Sequence, residues 1–218
     1  MILIERIFPG FMNKNELYVV ALAGLFALIA NGCQGAEFAA AADPMTTAYQ
    51  MVLDHWQPAN KGKTRRGYNI GAVLVGQDGR ILAKELNAVI VNQDCTQHAE
   101  MRLIQGYIAK TKCFNLRGCS VYTTLEPCKM CAATMSMAGI VNVYYGQADS
   151  AFGENTAQAL SGTGQQQYPR IARCIQLPSP LQDELEKSFK KSGIKEITKW
   201  LATEQAKAIF AKHLQKRL

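Results

Sequence analysis

A chain of 218 residues with 48% hydrophobic content is long enough to bury one core-bearing domain with appendages, and it is not a disordered chain. Its formal charge of +7 favours an anionic partner. In residues 178–218, however, nine Lys or Arg are interleaved with five Asp or Glu, net +4, which describes a solvated helix face rather than a nucleic-acid footprint.

At the N-terminus, residues 17–30 ("LYVVALAGLFALIA") form an apolar run of the length of a signal-peptide core, too short for a comfortable membrane span. Directly after it, Gly32 precedes Cys33 in a setting that resembles a bacterial lipoprotein signal, with Cys33 as the residue to be lipidated. A cut near Ala42, a start at Met12, and a buried N-terminal helix of a cytoplasmic protein are the alternatives. Residues 1–42 are therefore read as a leader and residues 43–218 as the domain. An exported location, periplasmic or lipid-anchored in a bacterial envelope, is expected, with membrane contact only through a lipid on Cys33; a cytoplasmic location is the alternative.

From residue 44 the pattern is that of an α/β domain. Met45, Tyr49, Val52, Leu53 and Trp56 recur at helical spacing and predict a helix over 45–57. Two β-rich runs flank "QDG" at 77–79, a turn signal, and predict a hairpin. A helix over 97–110, a strand at "SVYTTLE", a helix over 128–138 and a strand over 141–146 follow. "SGTGQQQYP" at 161–169 reads as a loop, "IARCIQL" as a strand, and two helices, 180–192 and 195–216, close the chain. Strands separated by helices imply parallel crossovers added to an antiparallel hairpin, hence a mixed sheet. The last helix carries Ile197, Trp200, Leu201 and Ile209, which are available to pack on the body or on a partner chain; a homodimer is expected.

The chemistry concentrates in two places. Cys128 and Cys131 are spaced Cys-x-x-Cys just after Pro127, a spacing that serves thiol exchange, structural zinc and open zinc sites alike. His98 and Glu100 lie in the first turn of the helix predicted over 97–110. Two helix N-termini thus offer one imidazole and two sulfurs, and the amide dipoles there favour the thiolates a metal needs. Three protein ligands leave one tetrahedral position open, the arithmetic of a catalytic zinc; a closed structural site would show a fourth Cys or His. His55 and His213 are isolated, and Cys95, Cys113, Cys119 and Cys174 form no compact motif. Glu100, two residues after a ligand, can act as a base beside the open position.

His-x-Glu followed by Pro-Cys-x-x-Cys is the signature of zinc nucleobase deaminases. Over about residues 45–192, with "GAVLV", Asn87, "HAE", "TLEPCKMC" and "VYYG", the chain resembles the cytidine/deoxycytidylate deaminase superfamily, in the branch of the tRNA adenosine, guanine and cytosine deaminases. The resemblance implies a three-layer α/β/α sandwich with a five-stranded mixed sheet, its last two strands parallel. It also implies zinc on His98, Cys128 and Cys131, Glu100 as proton shuttle, Asn87 as a substrate contact, and a backbone contact near Ala99. A turn-capping role for Asn87 stands beside the substrate role. The expected function is hydrolytic removal of an exocyclic amino group from a small nucleobase, nucleoside or nucleotide, with a free purine base or nucleoside placed ahead of tRNA adenosine. A non-catalytic zinc protein of this fold is the alternative of another class; Glu100 speaks against it, because a purely structural site has no need of that carboxylate.

Overall fold

A computed structural model describes residues 43–58, 67–140, 142–153 and 173–215. The proposed leader and the loop expected at 161–169 lie outside these residues.

The first helix, α1 (Pro44–Asp54), starts where Asp43 caps it by accepting from the Thr46 amide at 2.9 Å, with Pro44 in the first turn, where a missing N–H costs nothing. The expected hairpin follows as β1 (Gly71–Val75) and β2 (Ile81–Leu86), antiparallel, with the register shifting between Leu74 and Val75. Then come α2 (Ala99–Thr111), β3 (Ser120–Leu125), α3 (Lys129–Met137), β4 (Asn142–Gln147) and β5 (Arg173–Gln176). The sheet order is β2-β1-β3-β4-β5; β3 pairs antiparallel with β1 and parallel with β4, and β4 pairs parallel with β5. The five-stranded mixed sheet with helices on both faces is therefore the architecture observed.

Strand alternation assigns the layers. Tyr122 packs against the cluster that Ala48 of α1 forms with Val73 and Val75 of β1, whereas its neighbour Thr123 sends its hydroxyl to Glu100 of α2. The middle strand therefore holds α1 on one face and the His98–Glu100 segment on the other.

The C-terminus differs from the single helix expected over 195–216. After α4 (Pro180–Lys191), the chain forms a short α5 (Ile197–Trp200) and then α6 (Glu204–Leu214). Thr203 makes the break: its hydroxyl donates to the Trp200 carbonyl at 2.7 Å and accepts from the Ala206 amide at 3.3 Å, ending one helix and capping the next. The bend lets Trp200 reach zero exposure with its ring centroid 5.7 Å from that of Phe189, while Phe210 of α6 packs on Tyr49 of α1 and on Trp56 just beyond that helix. Ile197, Trp200, Leu201 and Ile209 are all buried against the body of the same chain.

Candidate active site

His98 is the residue before the first turn of α2, and Cys128 holds the same position before α3. Both have extended backbones and neither side chain caps its own helix, so the imidazole and the sulfur stay available for a ligand. Cys131, one turn into α3, is fully buried. The His98 Nδ1 atom lies 3.6 Å from Cys128 Sγ and 3.5 Å from Cys131 Sγ, and the two sulfurs are 3.6 Å apart. A tetrahedral zinc with bonds of about 2.3 Å to sulfur and about 2.0–2.1 Å to nitrogen requires separations of about 3.8 Å and about 3.6 Å. The triad fits the metal, and among the described residues it is the one group of three or more His, Cys, Asp or Glu ligand atoms close enough to hold an ion.

The electrostatics treat the two sulfurs differently. The adjacent Cys131 sulfur, and after it His98, bring the Cys128 thiol down to about 4 against the opposing effect of burial. The same pairing, with burial, pushes the Cys131 thiol up, and the neighbouring Cys128 raises His98.

Glu100 is 4% exposed, and burial raises its carboxyl above the usual carboxylate range. Its Oε1 accepts from Thr123 Oγ1 at 2.8 Å, and its Oε2 lies 3.6 Å from Cys131 Sγ. Thr123 was not singled out by the sequence; the signal it offers is an alternation in "YTTLEP" that aims one of two adjacent threonines at each face.

His98, Glu100 and Cys128 line a cavity of ≈ 440 Å³ together with Asn87. Asn87 divides its amide between the two expected roles. Its Oδ1 accepts from the Tyr68 and Val89 amides, each at 3.1 Å, and so ties the turn after β2 to the start of β1. Its Nδ2 is buried without a hydrogen-bond partner, a donor left for a ligand. A side chain at Gly67 would collide with that Oδ1, which accounts for glycine there. Ala99 opens α2 with its side chain fully buried, so it can offer a substrate only backbone.

Other lining residues were not foreseen. Glu126, Asp149 and Phe152 come from the ends of β3 and β4, and Glu196 and Thr198 from the C-terminal region. Cys95, Cys119 and Cys174 are free thiols outside the triad.

Comparison with known proteins agrees with this arrangement. Residues 45–147 match the cytidine and deoxycytidylate deaminase zinc-binding region. The tRNA-specific adenosine deaminase of Agrobacterium fabrum (strain C58 / ATCC 33970) is 45% identical over 80 residues, 37% of this chain and 52% of that protein. The tRNA-specific adenosine deaminase of Aquifex aeolicus (strain VF5) is 36% identical over 84 residues, 38% of this chain and 55% of that protein. The chain thus spans about half the length of these curated relatives. Among solved structures, one from work on A-to-I editing by tRNA:A34 deaminases is 34% identical, covering 50% of this chain and 82% of the other, with a TM-score of 0.42. Guanine deaminase from Bacillus subtilis is 23% identical, covering 71% and 96%, with a TM-score of 0.43.

Proposed function

The chain belongs to the cytidine/deoxycytidylate deaminase superfamily, and on that premise we propose that it is a zinc-dependent hydrolytic deaminase of an adenine-type base, with adenosine in tRNA as its substrate. The observation that carries the reading is Glu100: a buried carboxylate, fixed by Thr123 and set beside a zinc-competent triad at the wall of a cavity.

His98 Nδ1, Cys128 Sγ and Cys131 Sγ would hold the zinc. When bound, zinc lowers the pKa of water and polarises the group it contacts. Glu100 takes a proton from the attacking water, whose oxygen bonds to the ring carbon bearing the amine. It returns that proton to a ring nitrogen, then takes the proton left on the newly attached hydroxyl and passes it to the amine; the carbon–nitrogen bond breaks, the oxygen stays on the ring as a carbonyl and ammonia leaves, with no change of oxidation state. Burial raises the affinity of the Glu100 carboxylate for a proton, the direction that suits a group which accepts and returns one. Asn87 Nδ2 donates to an acceptor on the base or sugar. Ala99, whose amide is among those without an intrahelical partner, offers the backbone contact.

The sequence alone favoured a free purine over tRNA. The similarity to tRNA-specific adenosine deaminases reverses that order. A small-substrate reading keeps one specific observation: among the described residues lining the cavity, Glu100, Glu126, Asp149 and Glu196 are acidic and none is Lys or Arg. Such a rim repels phosphate.

The test is ammonia release from guanine, adenosine, cytosine and a tRNA anticodon stem-loop, each at two salt concentrations. The stem-loop should react, and its turnover should fall with salt as phosphate contacts weaken. Turnover of a free base or nucleoside alone would replace tRNA with the small substrate, and no turnover of any would overturn the assignment.

A further inference from the structure

Building on the deaminase reading, we propose that Glu126 is a positioning residue: it fixes the turn at 149–153 across the mouth of the cavity and so sets Phe152 as one wall of the substrate site. Glu126 lies two residues before Cys128, between the end of β3 and α3. Its own amide donates to the Gln147 carbonyl at 2.8 Å, which ties it to the end of β4. Its Oε2 accepts from the Asp149 amide at 3.0 Å, so the side chain reaches over and holds the chain as it leaves that strand.

The turn it holds closes on itself. Asp149 Oδ1 accepts from the Ala151 amide at 3.0 Å, and the Asp149 carbonyl accepts from the Gly153 amide at 2.8 Å. Gly153 lies against the Glu126 stem: a Cβ there would come within 2.7 Å of the Glu126 Cγ and Cδ atoms, so no larger residue fits while the carboxylate keeps its place. Gly153 is buried, yet its neighbour Phe152 is 65% exposed. Phe152 nevertheless lines the same cavity as Asn87, His98 and Glu100. An exposed phenyl ring on a braced turn, beside a cavity that Ile70, Leu125 and Met130 also line, suits the face of a flat heteroaromatic ring. One short segment therefore carries a zinc ligand and the brace for the opposite rim, which keeps the two in register.

Zinc-loaded wild type, Glu126→Ala, Glu126→Gln, Phe152→Ala and the Glu126→Ala/Phe152→Ala double variant are compared on the substrate that wild type turns over. Zinc content and hydrogen exchange of the 149–153 amides are measured on each. Glu126→Ala should keep zinc and raise KM by about tenfold, with kcat within about threefold. Glu126→Gln should recover most of the loss, because its amide oxygen accepts the same bond. Phe152→Ala should raise KM by a similar factor, and the double variant no further, because both act through one wall. Exchange at 149–153 should quicken in Glu126→Ala and stay slow in Glu126→Gln.

Unchanged exchange or KM in Glu126→Ala, loss of zinc from it, a Gln variant as impaired as Ala, or additive effects in the double variant would each overturn the proposal. A wild type inactive on the whole panel sinks the deaminase reading instead. The exchange comparison needs no substrate and then still decides whether Glu126 holds the turn.

Discussion

At the scale of single residues, the site separates metal binding from proton transfer, and the two can be broken apart. His98→Ala and Cys128→Ser each remove one of three ligand atoms and should release zinc, whereas Glu100→Ala should keep about one zinc per chain and lose at least about 100-fold in turnover, the lower end for general acid–base catalysis. Metal analysis beside single-substrate kinetics checks both; a metal-replete Glu100→Ala with near-normal turnover would remove Glu100 from the mechanism. Each half of the His98, Cys128 and Cys131 cluster was legible in the sequence because it is local: Cys128 and Cys131 sit one turn apart at the start of α3, and His98 and Glu100 sit together at the start of α2. Thr123 was not legible, because its bond to Glu100 joins residues 23 apart and depends on which face of β3 it occupies. Asn87 was legible as a residue but not as a geometry: local patterns suggest a turn cap or a ligand contact, and only the packed site shows one amide serving the first with Oδ1 while Nδ2 stays unpartnered.

At the scale of elements, the hairpin, the helices and the mixed character of the sheet could be read from periodicity and turn chemistry, while the C-terminal region could not. Apolar spacing runs on through residues 197–209, so the pattern predicts one helix, although Thr203 followed by Glu204 is a helix-start signature inside it. The break is what buries Trp200, and Trp200→Ala should destabilise the chain by about 3–5 kcal/mol, the range for an emptied aromatic site in a core. Chemical denaturation would show it, and a loss under about 1 kcal/mol would mean that the bend collapses to fill the space.

The pairing of α4 with α6 supplies a pH-dependent counterpart. Glu184 accepts from His213 at 2.7 Å and from Lys212 at 2.9 Å, and these bonds, His213 first, hold its carboxyl below the usual carboxylate range. A carboxylate with a depressed folded pKa contributes stability that is present above its unfolded value of about 4.3 and is lost as pH falls through the folded value. The Glu184 side chain is 37% exposed. Glu184→Gln should therefore cost only a few tenths to about 1 kcal/mol at pH 7, as for solvent-screened pairs, and less at about pH 3. Equal losses in urea melts at both pH values would exclude an ionic origin.

At the scale of the whole molecule, the N-terminal segment bears on which of the two proposed substrates the chain would meet. Mass spectrometry of native protein reads this directly: a first residue at or after Cys33 belongs with export and a small scavenged substrate, while residues 1–32 intact belong with tRNA. On the tRNA reading above, the intact N-terminus is the expected result. The middle strand β3 has a further consequence. Thr123 anchors the acid–base residue to the centre of the sheet, whereas the surfaces that would touch the rest of a substrate, at 149–153 and at Glu196 and Thr198, hang from strand ends and from the C-terminal helices. Apart from Ala99 and Glu126, which sit beside His98 and Cys128, recognition thus occupies stretches of chain separate from those that would carry the reaction. Grafting those rim segments from a relative of different specificity, with β3, α2 and α3 untouched, is a route to redirecting which ring is deaminated while the machinery that deaminates it is inherited whole.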